Sequence, residues 1–211
     1  MAARVDSTAI VEDRVSLGDG TSVWSHTHIR YDTVIGSECI VGEKTYIAYG
    51  VSIGNRVKIN SFVYICNGVT IEDGVMISAG TIFTNDRFPR ATTPDLSALR
   101  PSDPDEHPLP TLVKAGSTIG ARCVIGNDLE IGRFAMVGMG SVVTKSVPDF
   151  HLVIGSPARS VGVVCRCGPM IARFADLSLP TTCKCQECDR EYEVADDLTV
   201  TERSADNATI R

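Results

Sequence analysis

Aromatic residues are scarce in this chain of 211 residues: they make up 6%, with a single tryptophan. Any core must therefore be packed from aliphatic side chains. No uninterrupted apolar run approaches the roughly 20 residues that span a bilayer, so a membrane partner is not expected. Positive charge is also in short supply, with 20 Lys and Arg against 26 Asp and Glu and a formal charge of −6. That balance argues against non-specific nucleic-acid binding, which needs a basic face to neutralise phosphates. Local basic clusters can still meet a small anionic substrate. The opening Met1-Ala2-Ala3-Arg4-Val5-Asp6 lacks the apolar core of a signal peptide, so the sequence reads as cytoplasmic. In a reducing compartment, its eight cysteines point to metal binding or core packing before disulfides.

What is present is a strict six-residue period. From Val5 the sixth residues run Val11, Leu17, Val23, Ile29, Ile35, Val41 and onward without a miss to Ile77 and Phe83. The column resumes at Val113, Ile119, Ile125, Ile131, Val137 and Val143, in phase across the gap. Four residues after each aliphatic stands a small or β-branched residue, such as Thr21, Thr27, Thr33, Cys39 and Thr45. The position directly after it is glycine at 18, 36, 42, 54, 120, 126, 132 and 138. Six residues advance an α-helix by a net of about 240°, which would scatter the aliphatics around its axis. A triangular solenoid accommodates the period: each hexad is a short strand and a corner, and three hexads make a coil. Twenty hexads then give between six and seven coils, with the aliphatics stacked inward.

Residues 84–112 break the pattern and hold six of the ten prolines: Pro89, Pro94, Pro101, Pro104, Pro108 and Pro110. Proline cannot donate to a strand ladder, so this stretch leaves the wall as a long external loop. Past the solenoid, Cys165-Arg166-Cys167-Gly168 and Cys183-Lys184-Cys185-Gln186-Glu187-Cys188 are spaced like the knuckles of a zinc ribbon. Cys165, Cys167, Cys185 and Cys188 are the expected ligands of a structural zinc, with Cys183 the spare. Four thiolates close a tetrahedral shell and leave no open position for catalysis. Cys39 and Cys123 fall in the small-residue column and are expected in the core; Cys66 carries no clear signal. The expected domains are a solenoid over 1–160, a ribbon over 161–193 lacking a core of its own, and a polar tail over 194–211 that is disordered from Ser204.

The repeat columns resemble the hexapeptide-repeat acyltransferases, over roughly residues 5–160. The resemblance implies an all-β, left-handed parallel β-helix and a homotrimer with sites between subunits. Phe83-Thr84-Asn85-Asp86-Arg87-Phe88-Pro89-Arg90 resembles the signature of N-acetyltransferases acting on nucleotide-linked 3-amino sugars. It implies that Asn85 lies beside the sugar amine with Asp86 next to it. Arg87 and Arg90 are the candidate substrate-binding cations, and His28 matches a W-x-x-x-H pattern of the same enzymes. On the residues alone, Asn85 and Asp86 equally suit a turn into the loop, and His28 a solvated corner. His26, His107 and His151 are weaker candidates for a base. Ile154-Gly155-Ser156-Pro157-Ala158-Arg159 resembles the segment that lines the coenzyme A groove in these enzymes. It makes Gly155, Pro157, Ala158 and Arg159 the candidate cofactor contacts, with Gly138, Lys114, Ala115 and Gly116 beside them. A cap closing the open end of the solenoid would also account for the segment.

The function that these features imply is acetyl transfer from acetyl-CoA to the amine of a UDP- or dTDP-linked 3-amino sugar. An O-acetyltransferase would need a better-placed histidine base. A solenoid carbonic anhydrase would need a third well-spaced histidine. A non-catalytic scaffold would leave the loop motif unexplained.

Overall fold

The structure, a computed structural model, describes residues 1–101 and 109–203. Pro104, His107, Pro108 and the tail from Ser204 lie outside the described residues. The chain is a parallel β-helix with three sheet faces. Two-residue strands at Arg4–Val5, Ser22–Val23, Ile40–Val41 and Lys58–Ile59 stack into the first face. Ile10–Val11, His28–Ile29, Tyr46–Ile47 and Tyr64–Ile65 begin the second, and Ser16–Leu17, Val34–Ile35 and Ser52–Ile53 the third. Successive coils pair in parallel one coil length apart, as Val5 does with Val23 and Ile29 with Ile47. Across the external loop Ile71 pairs with Val113 and Phe83 with Ile125, so the loop is extruded without disturbing the ladder. No helix among the described residues is long and apolar enough to cross a membrane.

The aliphatic column is the core. Ile29, Ile47, Ile65, Ile77, Ile119, Ile125 and Ile131 are all fully buried. Burying one such side chain stabilises by about 1.5–3 kcal/mol. The first coil departs from the expectation: Val5 is 43% exposed because no coil lies beneath it. The small-residue column has a polar task that the pattern did not reveal. Thr21, Thr27, Thr33 and Thr45 each donate their hydroxyl to a carbonyl of the next coil, Thr21 to Gly36 at 2.7 Å. Cys39 and Cys123 do the same with thiols, to Gly54 at 3.1 Å and Gly138 at 3.2 Å. Both are buried, as is Cys66. The glycine column is set by space: a Cβ on Gly36 would lie 2.6 Å from the Gly54 carbonyl oxygen. The corner position two residues further on adopts a left-handed backbone, with His26 at φ 56° and Asp32 at φ 58°.

Two expectations need correction. The first face carries eight parallel levels, its last being His151–Gly155, so the stack is taller than six to seven coils. The last coil is two residues short, with Ile131 bridging to Val147 and Val137 pairing with Val153. A strict six-residue count loses phase there. The ribbon also extends beyond 193: Thr181–Lys184, Glu191–Val194 and Val200–Glu202 form one antiparallel sheet. Val194 and Val200 pack with a fully buried Tyr192, giving the ribbon a small core of its own.

Candidate active site and four-cysteine centre

Asn85 and Asp86 lie at the root of the external loop, just after the second-face strand Ile82–Phe83. The Thr84 N–H donates to the Ile125 carbonyl at 3.0 Å, which anchors the root to the wall. Beyond it Asn85, Asp86, Arg87 and Arg90 are all exposed. One Asp86 carboxylate oxygen accepts the Phe88 N–H at 2.8 Å, and Arg90 donates to its neighbour's carbonyl on Pro89. Asp86 therefore shapes the turn into the loop while keeping its carboxylate at the surface. Asn85 and Asp86 thus project from the edge between the second and third faces, at the fifth coil.

His28 is on the second face as well, but at the second coil. Three strand spacings, or about 14 Å, separate that level from Phe83, with Tyr46 and Tyr64 between them. The structure does not bring His28 together with Asn85. Its ring is held by Glu12 at 2.8 Å and meets Tyr46 edge-on at 5.5 Å. A carboxylate only accepts, so the ring donates to Glu12 through Nε2–H. Arg30 pairs with Glu12 at 2.7 Å and donates to the Tyr46 hydroxyl at 3.1 Å. Burial works against the Glu12 charge, yet hydrogen bonds from Arg30, His28 and the Tyr31 N–H hold its carboxyl below the usual range. This Glu12–Arg30–Tyr46 cluster was missed from sequence, because its members are brought together only by the stacking of three coils. His26 occupies its left-handed corner, and its N–H donates to the Thr8 hydroxyl.

The Gly155–Arg159 turn lies on a different edge, between the first and second faces, at the last level. Gly155 is at φ 101°, a conformation open to glycine, and its N–H donates to the Ser141 hydroxyl at 3.2 Å. Arg159 is exposed. Gly138 belongs to the same edge one level below, where a Cβ would meet Ile154 at 2.5 Å, so packing alone demands this glycine. Lys114, Ala115 and Gly116 follow the third face and sit on another edge. Lys114 is ion-paired to Glu130 at 2.6 Å, a hydrogen bond that holds its ammonium pKa up. Gly116 accommodates the Phe134 ring, which fills the space where a Cβ would stand.

The sulfurs of Cys165, Cys167, Cys185 and Cys188 all lie within 4.8 Å of one another. Cys165 is 3.4 Å from both Cys167 and Cys188, and Cys167 is 3.6 Å from Cys185. None is in a disulfide. A tetrahedron with zinc–sulfur bonds of about 2.3 Å has edges of about 3.8 Å, so the donor set fits a tetrathiolate ion. The charges argue the same way. The Arg190 N–H pulls the Cys188 thiol down to about 6, while hydrogen bonding to Cys188 and its other neighbours pushes Cys167 up. Four crowded sulfurs cannot all ionise without a cation between them. Cys183 is buried apart from this group. His151 is buried in the cap and does not face either edge site.

Comparison with known proteins places the repeat. Residues 50–85 match the family described as bacterial transferase hexapeptide (six repeats). Residues 32–65 and 113–145 match the hexapeptide repeat of succinyl-transferase. The chain is 44% identical over 88 residues to the dTDP-3-amino-3,6-dideoxy-alpha-D-galactopyranose 3-N-acetyltransferase of Aneurinibacillus thermoaerophilus, which is 42% of this chain and 43% of that protein. It is 43% identical over 58 residues to the serine acetyltransferase of Escherichia coli (strain K12), 28% of this chain and 20% of that enzyme. The matches thus span less than half the length of these curated relatives. A mutant of AntD, an N-acyltransferase from Bacillus cereus solved with dTDP and coenzyme A, superposes with a TM-score of 0.53. That likeness, at 21% identity over 78% of this chain and 82% of AntD, establishes the shared fold. The chain is a hexapeptide-repeat parallel β-helix, similar over 88 residues to a dTDP-linked amino-sugar N-acetyltransferase.

Proposed function

We propose that this protein transfers the acetyl group of acetyl-CoA to the amine of a dTDP- or UDP-linked 3-amino sugar. The observation that carries the reading is the Phe83–Arg90 motif, set at the root of a long loop that leaves the solenoid. In the reaction the neutral amine attacks the thioester carbonyl, the carbon–sulfur bond breaks, and the amine proton leaves with the departing coenzyme A thiolate. Much of the rate comes from juxtaposing the two reactants. The Asn85 side-chain carbonyl accepts an N–H of the amine and aims its lone pair, Asp86 sits beside it, and Arg87 and Arg90 meet the nucleotide phosphates. The Gly155–Arg159 turn takes the acyl donor. Within one chain His28 and its Glu12 partner sit three strand levels, about 14 Å, from the loop root, so that pair does not serve as the base for a hydroxyl acceptor at its own root.

The candidate sugar and donor contacts occupy different edges of the prism, which supports a site completed by a second copy and hence a homotrimer. The tetrathiolate is read as a structural zinc site. Abundant free thiols and nucleotide-linked substrates suit the cytoplasm. Mass spectrometry of the protein incubated with acetyl-CoA and a panel of dTDP- and UDP-linked 3-amino sugars tests the reading. A product heavier by one acetyl group with one nucleotide class is expected. Absence of any acetylated amino sugar, from protein shown to be oligomeric and metal-loaded, would refute it.

A further inference from the structure

The strand that leads into the Gly155–Arg159 turn, His151–Gly155, is paired on one side to Met136–Val137 of the coil below. Its other side is covered by the returning strand Ala158–Val164, which runs antiparallel and has no coil above it. Among the described residues that returning strand pairs outward only with Met170–Arg173, and it runs directly into Cys165. The placement of the turn therefore depends on what holds the chain after residue 164.

Three ties hold it to the ribbon. The first is the cysteine centre, where Cys165 and Cys167 meet Cys185 and Cys188 from the far side of the ribbon. Its support is Tyr192, which is fully buried, lies 3.2 Å from the Cys165 sulfur and accepts the Arg166 N–H at 2.9 Å. The second is His151, only 3% exposed. Its Nε2 is 3.0 Å from the Leu198 carbonyl and its Nδ1 2.8 Å from the Ser160 hydroxyl. A carbonyl cannot donate, so Nε2–H donates to Leu198 and Nδ1 accepts from Ser160. One imidazole thus joins both strands of the hairpin to the ribbon. The third is an aromatic chain from the solenoid corner at Phe134 through Phe150 to Tyr192, with centroids 5.8 and 5.2 Å apart.

We infer that the metal-loaded ribbon and His151 form a clamp that fixes this hairpin, so that metal occupancy sets the affinity for the acyl donor. The inference rests on the reading of Gly155–Arg159 as the donor-binding turn. His151, Tyr192 and the four cysteines are positioning residues that act through the hairpin. The metal ligands themselves perform no step of the reaction.

The test uses the full-length protein, cobalt(II) as the metal probe, and two variants. Cys167→Ser removes the one exposed ligand, and His151→Gln breaks the histidine tie while sparing the tetrathiolate. Hydrogen exchange is followed over residues 151–164, and coenzyme A and nucleotide-sugar affinities are measured by calorimetry. In Cys167→Ser, or after chelation, the sulfur-to-cobalt absorption is expected to fall. Exchange should accelerate across 158–164, and coenzyme A affinity should weaken on the order of tenfold, with nucleotide-sugar affinity unchanged. His151→Gln is expected to keep the cobalt spectrum and still accelerate exchange and weaken coenzyme A binding. Unchanged exchange over 151–164 with and without metal would overturn the clamp. So would an equal loss of both affinities. A wild-type protein that does not bind coenzyme A at all would refute the donor reading, while the exchange data would still decide whether the clamp exists.

Discussion

Replacing Ile65 by Ala probes the stacked core where it is deepest. Ile65 is fully buried in the fourth coil, between the coils that carry Ile47 and Phe83. The change removes three carbons, about 2.4 kcal/mol at roughly 0.8 kcal/mol each, and leaves a cavity between two coils that are hydrogen-bonded too tightly to close it. A total of about 3–4 kcal/mol follows, within the range of buried Ile→Ala changes. For a chain of this size that lowers the melting temperature by roughly 10 °C. Val5→Ala is the control, because Val5 holds the same column position but is 43% exposed at the open end of the stack. It should cost below about 1 kcal/mol and shift melting by no more than about 3 °C. Thermal melts followed by far-ultraviolet circular dichroism read both. Equal shifts for the two variants would refute the claim that coil-on-coil burial, rather than the repeat as such, holds the fold.

Other outcomes follow from single contacts. Asn85→Ala should lower kcat on the order of a hundredfold while leaving coenzyme A affinity intact, if orientation of the amine is its role; steady-state kinetics and calorimetry decide it. Gly36→Ala should destabilise by about 1–3 kcal/mol, because its Cβ would press on the Gly54 backbone; a denaturation midpoint no lower than wild type would contradict the spacing argument. Burial depresses the His151 pKa, an effect that the hydrogen bond to the Leu198 carbonyl and, less, the Asp149 charge partly oppose. The unfolded chain therefore takes up a proton below about pH 6.5 that the folded chain refuses. The His151 contribution to stability is complete above that pH and is lost as pH falls toward its folded pKa. The thiolates titrate alike in His151→Gln, so comparing its denaturation midpoints with wild type between about pH 7 and 5 isolates the histidine; parallel curves would contradict it.

Much of the architecture was legible in the sequence because a hexad period has one structural solution. The aliphatic column, the extruded proline-rich loop and the crowding of Cys165, Cys167, Cys185 and Cys188 all depend on local spacing. Other features depend on what lies one coil away. The Thr21 and Cys39 side chains look merely small in sequence, yet each donates to the coil above. The last coil escaped the count because it is two residues short, with Val137 meeting Val153. Glu12, His28, Arg30 and Tyr46 converge only through stacking. The ribbon's extent is hard to read because Val194 and Val200 are isolated apolar residues in a polar stretch, recognisable as core only once their strands pair and bring them into one cluster with Tyr192. The separation of the loop root from the donor turn was invisible for the same reason: edge assignment follows from coil geometry.

The most direct test of a shared site is subunit complementation. One chain carries Asn85→Ala, with an intact donor turn; the other carries Gly155→Trp, with an intact loop root. Each alone should retain at most about a hundredth of wild-type activity. If the loop root of one copy meets the turn of its neighbour, mixed oligomers formed from equal amounts should recover about a quarter of wild-type acetyl transfer by random assortment. If one chain supplies both halves of its own site, the mixture will stay as inactive as its parts.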